Sequence, residues 1–107
     1  MRRPRVDILF VEHCPNHEPA RALVERIAGE LQVEADIRAI EVRALAQAQE
    51  LSFLGSPTIR VDGGDVEPGA DRRRDFTLAC RVYPGPARPC RAACEAWVRE
   101  ALRAAAR

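Results

Sequence analysis

Sulfur and imidazole carry the chemistry available to this chain. Four cysteines, Cys14, Cys80, Cys90 and Cys94, and two histidines, His13 and His17, stand among its 107 residues. Cys14 has the most telling surroundings, Asp7-Ile-Leu-Phe-Val-Glu-His-Cys-Pro-Asn-His-Glu-Pro19. An apolar run, Ile8 to Val11, is short and bulky enough for a buried strand. A helical pattern follows, with Ala20, Leu23, Val24, Ile27 and Leu31 at spacings of three and four. Cys14 therefore falls where a strand feeds a helix, and Pro15 suits the first helical position. A helix N-terminus offers free N–H donors and partial positive charge, which favour the thiolate form of a nearby sulfur. The thiolate is both the nucleophile and the metal ligand. The competing reading of Cys14 is a small, inert core residue, and the polar neighbours His13, Asn16 and His17 argue against it.

His17 follows Cys14 by one turn and faces the same end, where it can relay a proton or polarise the sulfur. A solvated histidine at a helix start is the competing reading. Cys90 and Cys94 are spaced i, i+4 and share a helix face. They suit one soft metal ion, or a disulfide if the turn is distorted. An undistorted helix sets their Cα atoms about 6 Å apart, within disulfide range, but with poorly aimed Cβ vectors. Both also suit plain helix packing. Cys14, Cys80, Cys90 and Cys94, with the two histidines, provide enough soft ligands for zinc, copper(I) or mercury(II). No Cys-x2-Cys pair marks a structural zinc site.

The elements that must position these groups can be read along the chain. Residues 5–11 read as strand one and residues 15–31 as helix one, with Gly29 weakening its last turn. Residues 33–42 alternate through Val33, Ala35, Ile37 and Ala39, then slip phase at Ile40 and Val42, and read as strand two. A strand, a helix and a strand in so short a span predict a parallel, right-handed βαβ unit. Residues 43–53 give a short second helix, broken by Gly55-Ser-Pro57. Thr58-Ile-Arg-Val61 reads as strand three, Asp62-Gly63-Gly64-Asp65 as a hairpin turn, and Val66-Glu67 as the start of a return strand. Residues 68–89 lose periodicity and form a long loop, the kind of segment that often carries function. A final helix begins near Cys90, with Ala93, Trp97, Val98, Ala101 and Leu102 on one face.

This order, β-α-β-α-β-β-α, with Cys14-Pro15 opening a helix and Gly55-Ser56-Pro57-Thr58 before strand three, resembles the thioredoxin fold. The resemblance covers about residues 5–67 and the final helix. It looks closest to small bacterial thioredoxin-like proteins with Cys-Pro-Asn-His, some of which carry an alkylmercury-lyase label. It implies a mixed four-stranded sheet with helices on both faces, and a cis proline, Pro57, lying against the active-site cysteine. The family's usual second motif cysteine is here His17. Cys14 then works as a monothiol or takes a partner from elsewhere in the chain.

Strand direction suggests that partner. If strand three starts beside Cys14, strand four ends at the same end of the sheet, and the loop that holds Cys80 leaves from there. Cys80 is accordingly the first candidate to resolve a disulfide on Cys14, with Arg81 beside it to hold a thiolate. A cysteine buried under the loop's apolar residues is the competing reading. The Arg72-Arg-Arg74 run between Asp71 and Asp75 reads as solvated loop, with a minor role in meeting an anionic thiol. Under the mercury reading, Asp75 is the acid nearest Cys80 in sequence.

Composition bounds the rest. A formal net charge of +1 gives no global case for nucleic acid or an anionic membrane. One Trp, one Tyr and three Phe are too few for a stacking surface. No run approaches the roughly 18–20 apolar residues of a membrane helix, and the basic start lacks the apolar core of a secretory signal. A single domain over residues 1–107 in the cytoplasm is expected, where thiols stay reduced unless they work. The expected function is thiol–disulfide exchange through Cys14, resolved by Cys80 or an external thiol, with no cofactor. The expected partner is a thiol or disulfide protein or a small-molecule thiol. The alternatives are a thiophilic metal or mercury site at Cys14, Cys80, Cys90 and Cys94, and a non-catalytic interaction module.

Overall fold

The computed structural model describes residues 3–12, 14, 17–79, 81 and 95–106. Its elements are β1 (Arg5–Phe10), α1 (His17–Glu30), β2 (Asp36–Glu41), α2 (Leu45–Glu50), β3 (Thr58–Val61), β4 (Gly64–Asp65) and α3 (Glu95–Ala106). A short 3₁₀ turn, Ala70–Arg72, stands between β4 and α3. The strands form one mixed sheet in the order β2-β1-β3-β4. β1 is parallel to β2, and β1 with β3 and β3 with β4 are antiparallel.

Side chains alternate across β1, and that alternation divides the core in two. Val6 and Ile8 point to one face, where they join Val24 and Ile27 of α1 and Val98 and Leu102 of α3. Leu9 points to the other face and joins Val42, Ala48 of α2 and Phe53. Helices thus cover both faces. Each of the larger fully buried side chains contributes roughly 1.5–3 kcal/mol from removal of apolar surface. The apolar spacing of residues 20–31 matches the buried stripe Ala20, Val24, Ile27 and Ala28.

Several boundaries differ from the sequence-based expectation, for local reasons. α1 is described from His17, since the expected start at residue 15 lies outside the described residues. Pro19 lies within its first turn, where the missing N–H has no intrahelical partner to lose. α1 and α2 both end at a non-glycine residue in the left-handed region, Gln32 (φ 56°) and Ser52 (φ 54°). In each case a later N–H closes the helix end: Val33 donates to the Ala28 carbonyl (2.9 Å) and Phe53 to that of Ala48 (2.8 Å). The return strand occupies Gly64–Asp65, not Val66-Glu67. Asp62 (φ 50°) and Gly63 (φ 87°) fill both positive-φ positions of a two-residue hairpin, so pairing resumes at once. It ends early because the Asp65 carboxylate accepts the Glu67 N–H (2.9 Å) and turns the chain.

Residues 68–79 carry more order than their sequence suggests. Beyond the 3₁₀ turn, Thr77 donates to the Phe53 carbonyl (3.1 Å), so this stretch returns along the segment that leads into β3. Among the described residues, no helix is long and apolar enough to cross a membrane.

α1 and α3 are also joined across their exposed edges. Arg26 reaches Glu30 (2.8 Å) and Glu95 (2.9 Å), and Arg99 reaches the same two carboxylates at 2.8 and 3.2 Å. Arg99 holds Glu30 below the usual carboxylate range, and Arg26 does the same for Glu95. A depressed folded-state value stabilises the fold above the unfolded carboxylate value, about 4.3 for Glu. That stability is lost as pH falls through the folded value. Urea midpoints are expected to fall below pH 4, and the fall should shrink when Glu30 and Glu95 are both changed to Gln. An acid limb unchanged in that variant would remove the network from the account.

Candidate functional site

The site is built where β1 leaves the sheet. The Cys14 N–H donates to the Val11 carbonyl (3.2 Å), and the Cys14 carbonyl accepts the His17 N–H (3.4 Å). These turns set Cys14 just ahead of α1, with its thiol free and half-buried. His17 opens the helix, and its ring stacks on Phe10 with centroids 3.8 Å apart and planes 2° apart. Its Nδ1 lies 3.8 Å from a Glu18 carboxylate oxygen. The imidazole is thus fixed against the last residue of β1.

Ser56, fully buried, joins this turn to the chain ahead of β3. Its Oγ accepts the Val11 N–H (3.1 Å). Its N–H donates to the Ala79 carbonyl (3.0 Å), and its carbonyl accepts the Arg81 N–H (2.8 Å). The Ser56–Pro57 bond is cis, and Pro57 is buried beside the start of β3. Leu9 pairs with Thr58, so β3 starts at the end of β1 that leads to Cys14. Gly55 permits the close approach of residues 79–81. At φ 118°, a Cβ there would meet the Arg81 Cβ at 2.9 Å and the Ala79 carbonyl oxygen at 3.1 Å.

The Arg81 side chain does not serve the sulfur chemistry expected of it. It is buried and forms a fork on Asp65 (2.8 and 3.1 Å), with further bonds to Glu67 (3.2 Å) and Thr58 Oγ1 (3.0 Å). Arg73 extends the chain of alternating charge from Glu67 (3.2 Å) to Asp75 (2.7 Å). Asp75 is held below the usual carboxylate range by Arg73. A carboxylate so held stays ionised at neutral pH, which is the wrong state for a proton donor to a carbon–mercury bond. The arginine run is exposed at Arg72 and Arg74, as expected of a solvated loop, while Arg73 is half-buried and held by carboxylates.

Beside the turn lies an open groove of about 590 Å³, lined by Val11, Glu12, Glu41, Val42, Arg43 and Leu78. It sits at the carboxyl ends of the parallel strands β1 and β2, where α/β sheets commonly receive ligands. Val11, Val42 and Leu78 belong to the second core cluster, and the Glu41–Arg43 ion pair (2.6 Å) and Glu12 make most of the exposed lining polar.

Of the residues singled out by sequence, the structure brings Cys14, His17 and the Ser56-Pro57-Thr58 segment to one end of the sheet. His13, Pro15, Asn16, Cys80, Cys90, Cys94 and Ala93 lie outside the described residues. Among the described residues, no group of three or more His, Cys, Asp or Glu side chains converges on a point that could hold a metal ion. Sequence reasoning missed the bonding role of Ser56, the Arg81 cluster and the groove. Ser56 had a signal in its neighbour Pro57, whereas the other two assemble from residues far apart in the chain.

The chain matches no protein-family model, and no curated protein matches it closely enough to count as a relative.

Proposed function

We propose that this chain is a thioredoxin-like thiol–disulfide oxidoreductase with Cys14 as its nucleophile. The observation that carries the reading is the junction at Ser56. It ties Val11, whose carbonyl holds the Cys14 N–H, to Ala79 and Arg81, the chain neighbours of Cys80. Ala79 and Arg81 are thereby held beside the chain that leads to Cys14, which supports the choice of Cys80 as the resolving thiol.

The proposed steps balance as follows. The Cys14 thiolate attacks one sulfur of a disulfide R–S–S–R′, forming Cys14–S–S–R and releasing R′S⁻. The Cys80 thiolate then attacks the Cys14 sulfur, forming a Cys14–Cys80 bond and releasing RS⁻. The two electrons that reduced the substrate come from the thiol pair, and an external dithiol returns them. When an external thiol resolves the first adduct instead, Cys80 is bypassed. The groove, with Val11 and Leu78 beside Glu12, Glu41 and Arg43, offers a mixed polar and apolar seat for the part of the substrate next to its reacting sulfur.

The test is Cys80→Ser, pre-reduced, freed of reductant and mixed with a protein disulfide in the absence of any external thiol. Full reduction of the substrate is expected to fall while a substrate adduct accumulates on Cys14. Unchanged reduction without an adduct would remove Cys80 from the cycle.

A further inference from the structure

β2 ends the sheet, and its outer edge faces away from β1. Asp36 donates its N–H to the Pro4 carbonyl (2.9 Å) and Val42 to that of Phe10 (2.7 Å). Strand alternation therefore turns the backbone groups of residues 36, 38 and 40 toward β1, and those of Ala35, Ile37 and Ala39 outward. Among the described residues, no strand pairs with this edge. No proline interrupts Asp36–Glu41, and the charges it carries, Asp36, Arg38 and Glu41, are of both signs and so can be matched by a partner strand.

We propose that this edge pairs antiparallel with β2 of a second copy of the chain, about a two-fold axis through Ile37. Such an axis, perpendicular to the sheet, keeps each face of one copy continuous with the same face of the other, so paired positions must have equal parity. The register centred on Ile37 meets that condition. Ile37 exchanges both backbone bonds with Ile37 of the second copy, and Ala35 does so with Ala39 at either side. All three positions are the ones whose N–H and C=O point outward.

The side chains select the same register. Asp36 falls opposite Arg38 of the second copy, and Arg38 opposite Asp36. Within one chain these two already lie 3.5 Å apart, with side chains 46% and 62% exposed. Across the axis they form a ring of alternating charge on the α2 face, and opposite charges directly across strands are favourable. On the α1 face, Ile37, half-buried against the first core cluster, meets its own copy. Small alanines flank it and leave room for close approach. Centring the pair on Arg38 instead would set two arginines against each other. That self-complementarity favours a second copy over an unrelated strand.

The test is sedimentation velocity of the intact protein over a wide concentration range. A concentration-dependent dimer is expected. Arg38→Glu should raise its dissociation constant at least about tenfold by setting like charges across the axis. Asp36→Arg should do the same, and Asp36→Arg combined with Arg38→Asp should restore the dimer. Both positions are on the surface, and far-ultraviolet circular dichroism would verify that the variants fold. A native protein that stays monomeric throughout, or a dimer indifferent to Arg38→Glu, would overturn the proposal.

Discussion

Cys14→Ser is expected to reduce disulfide reductase activity to the uncatalysed background, a loss of more than about 10³-fold, as removal of a nucleophile generally causes. The argument is chemical rather than structural. Serine keeps the size of the side chain, but its hydroxyl remains protonated at neutral pH and forms no disulfide. Cys14 stands half-buried in a turn held by backbone bonds to Val11 and His17, and serine leaves both in place. The thermal midpoint should therefore hardly move. Activity surviving in Cys14→Ser would place the chemistry on another cysteine and overturn the proposed cycle.

Arg81→Met should be the most damaging single change to stability. The guanidinium is buried, and the carboxylates it serves are nearly so, with Glu67 6% exposed and the Asp65 side chain 12% exposed. Removing one partner of a buried ionic group leaves its counter-charges without compensation, at a cost of about 3–5 kcal/mol. For a domain near this size, each kcal/mol lowers the melting temperature by roughly 4–8 °C, so a fall of at least about 12 °C is expected by calorimetry. Adding Asp65→Asn and Glu67→Gln should recover part of the loss, because the penalty comes from uncompensated charge. A change of a degree or two in Arg81→Met would contradict the buried cluster. The kinetic consequence is separate. With the Arg81 side chain no longer anchored, the hold of residues 79–81 on Ser56 loosens. Attack on substrate by Cys14 should persist, while the second, intramolecular step slows.

The regular elements were legible because each has a periodic signal. The bulky run before Cys14 became β1, the three-and-four spacing after it became α1, and Asp62-Gly63 fixed the hairpin turn. The short β4 was misplaced by two residues: the pattern of Val66 and Glu67 does not reveal that Asp65 turns the chain through its own side chain. The return of residues 76–81 along residues 53–56 left no pattern, since it rests on separate backbone bonds at Phe53 and Ser56 rather than a ladder. Arg81 was noticed as a neighbour of Cys80 and assigned to sulfur. Its partners Asp65 and Glu67 lie well before it in the chain, and a buried ion pair has no spacing rule by which to find it.

The most direct test of the central claim is to find what is bonded to the Cys14 sulfur during turnover. The protein would be mixed with a disulfide substrate, quenched with acid and an alkylating agent, and mapped by mass spectrometry. The account predicts a Cys14–Cys80 disulfide in the native protein and a Cys14–substrate adduct in Cys80→Ser. A Cys14 recovered as the alkylated free thiol in both, while substrate is consumed, would contradict it.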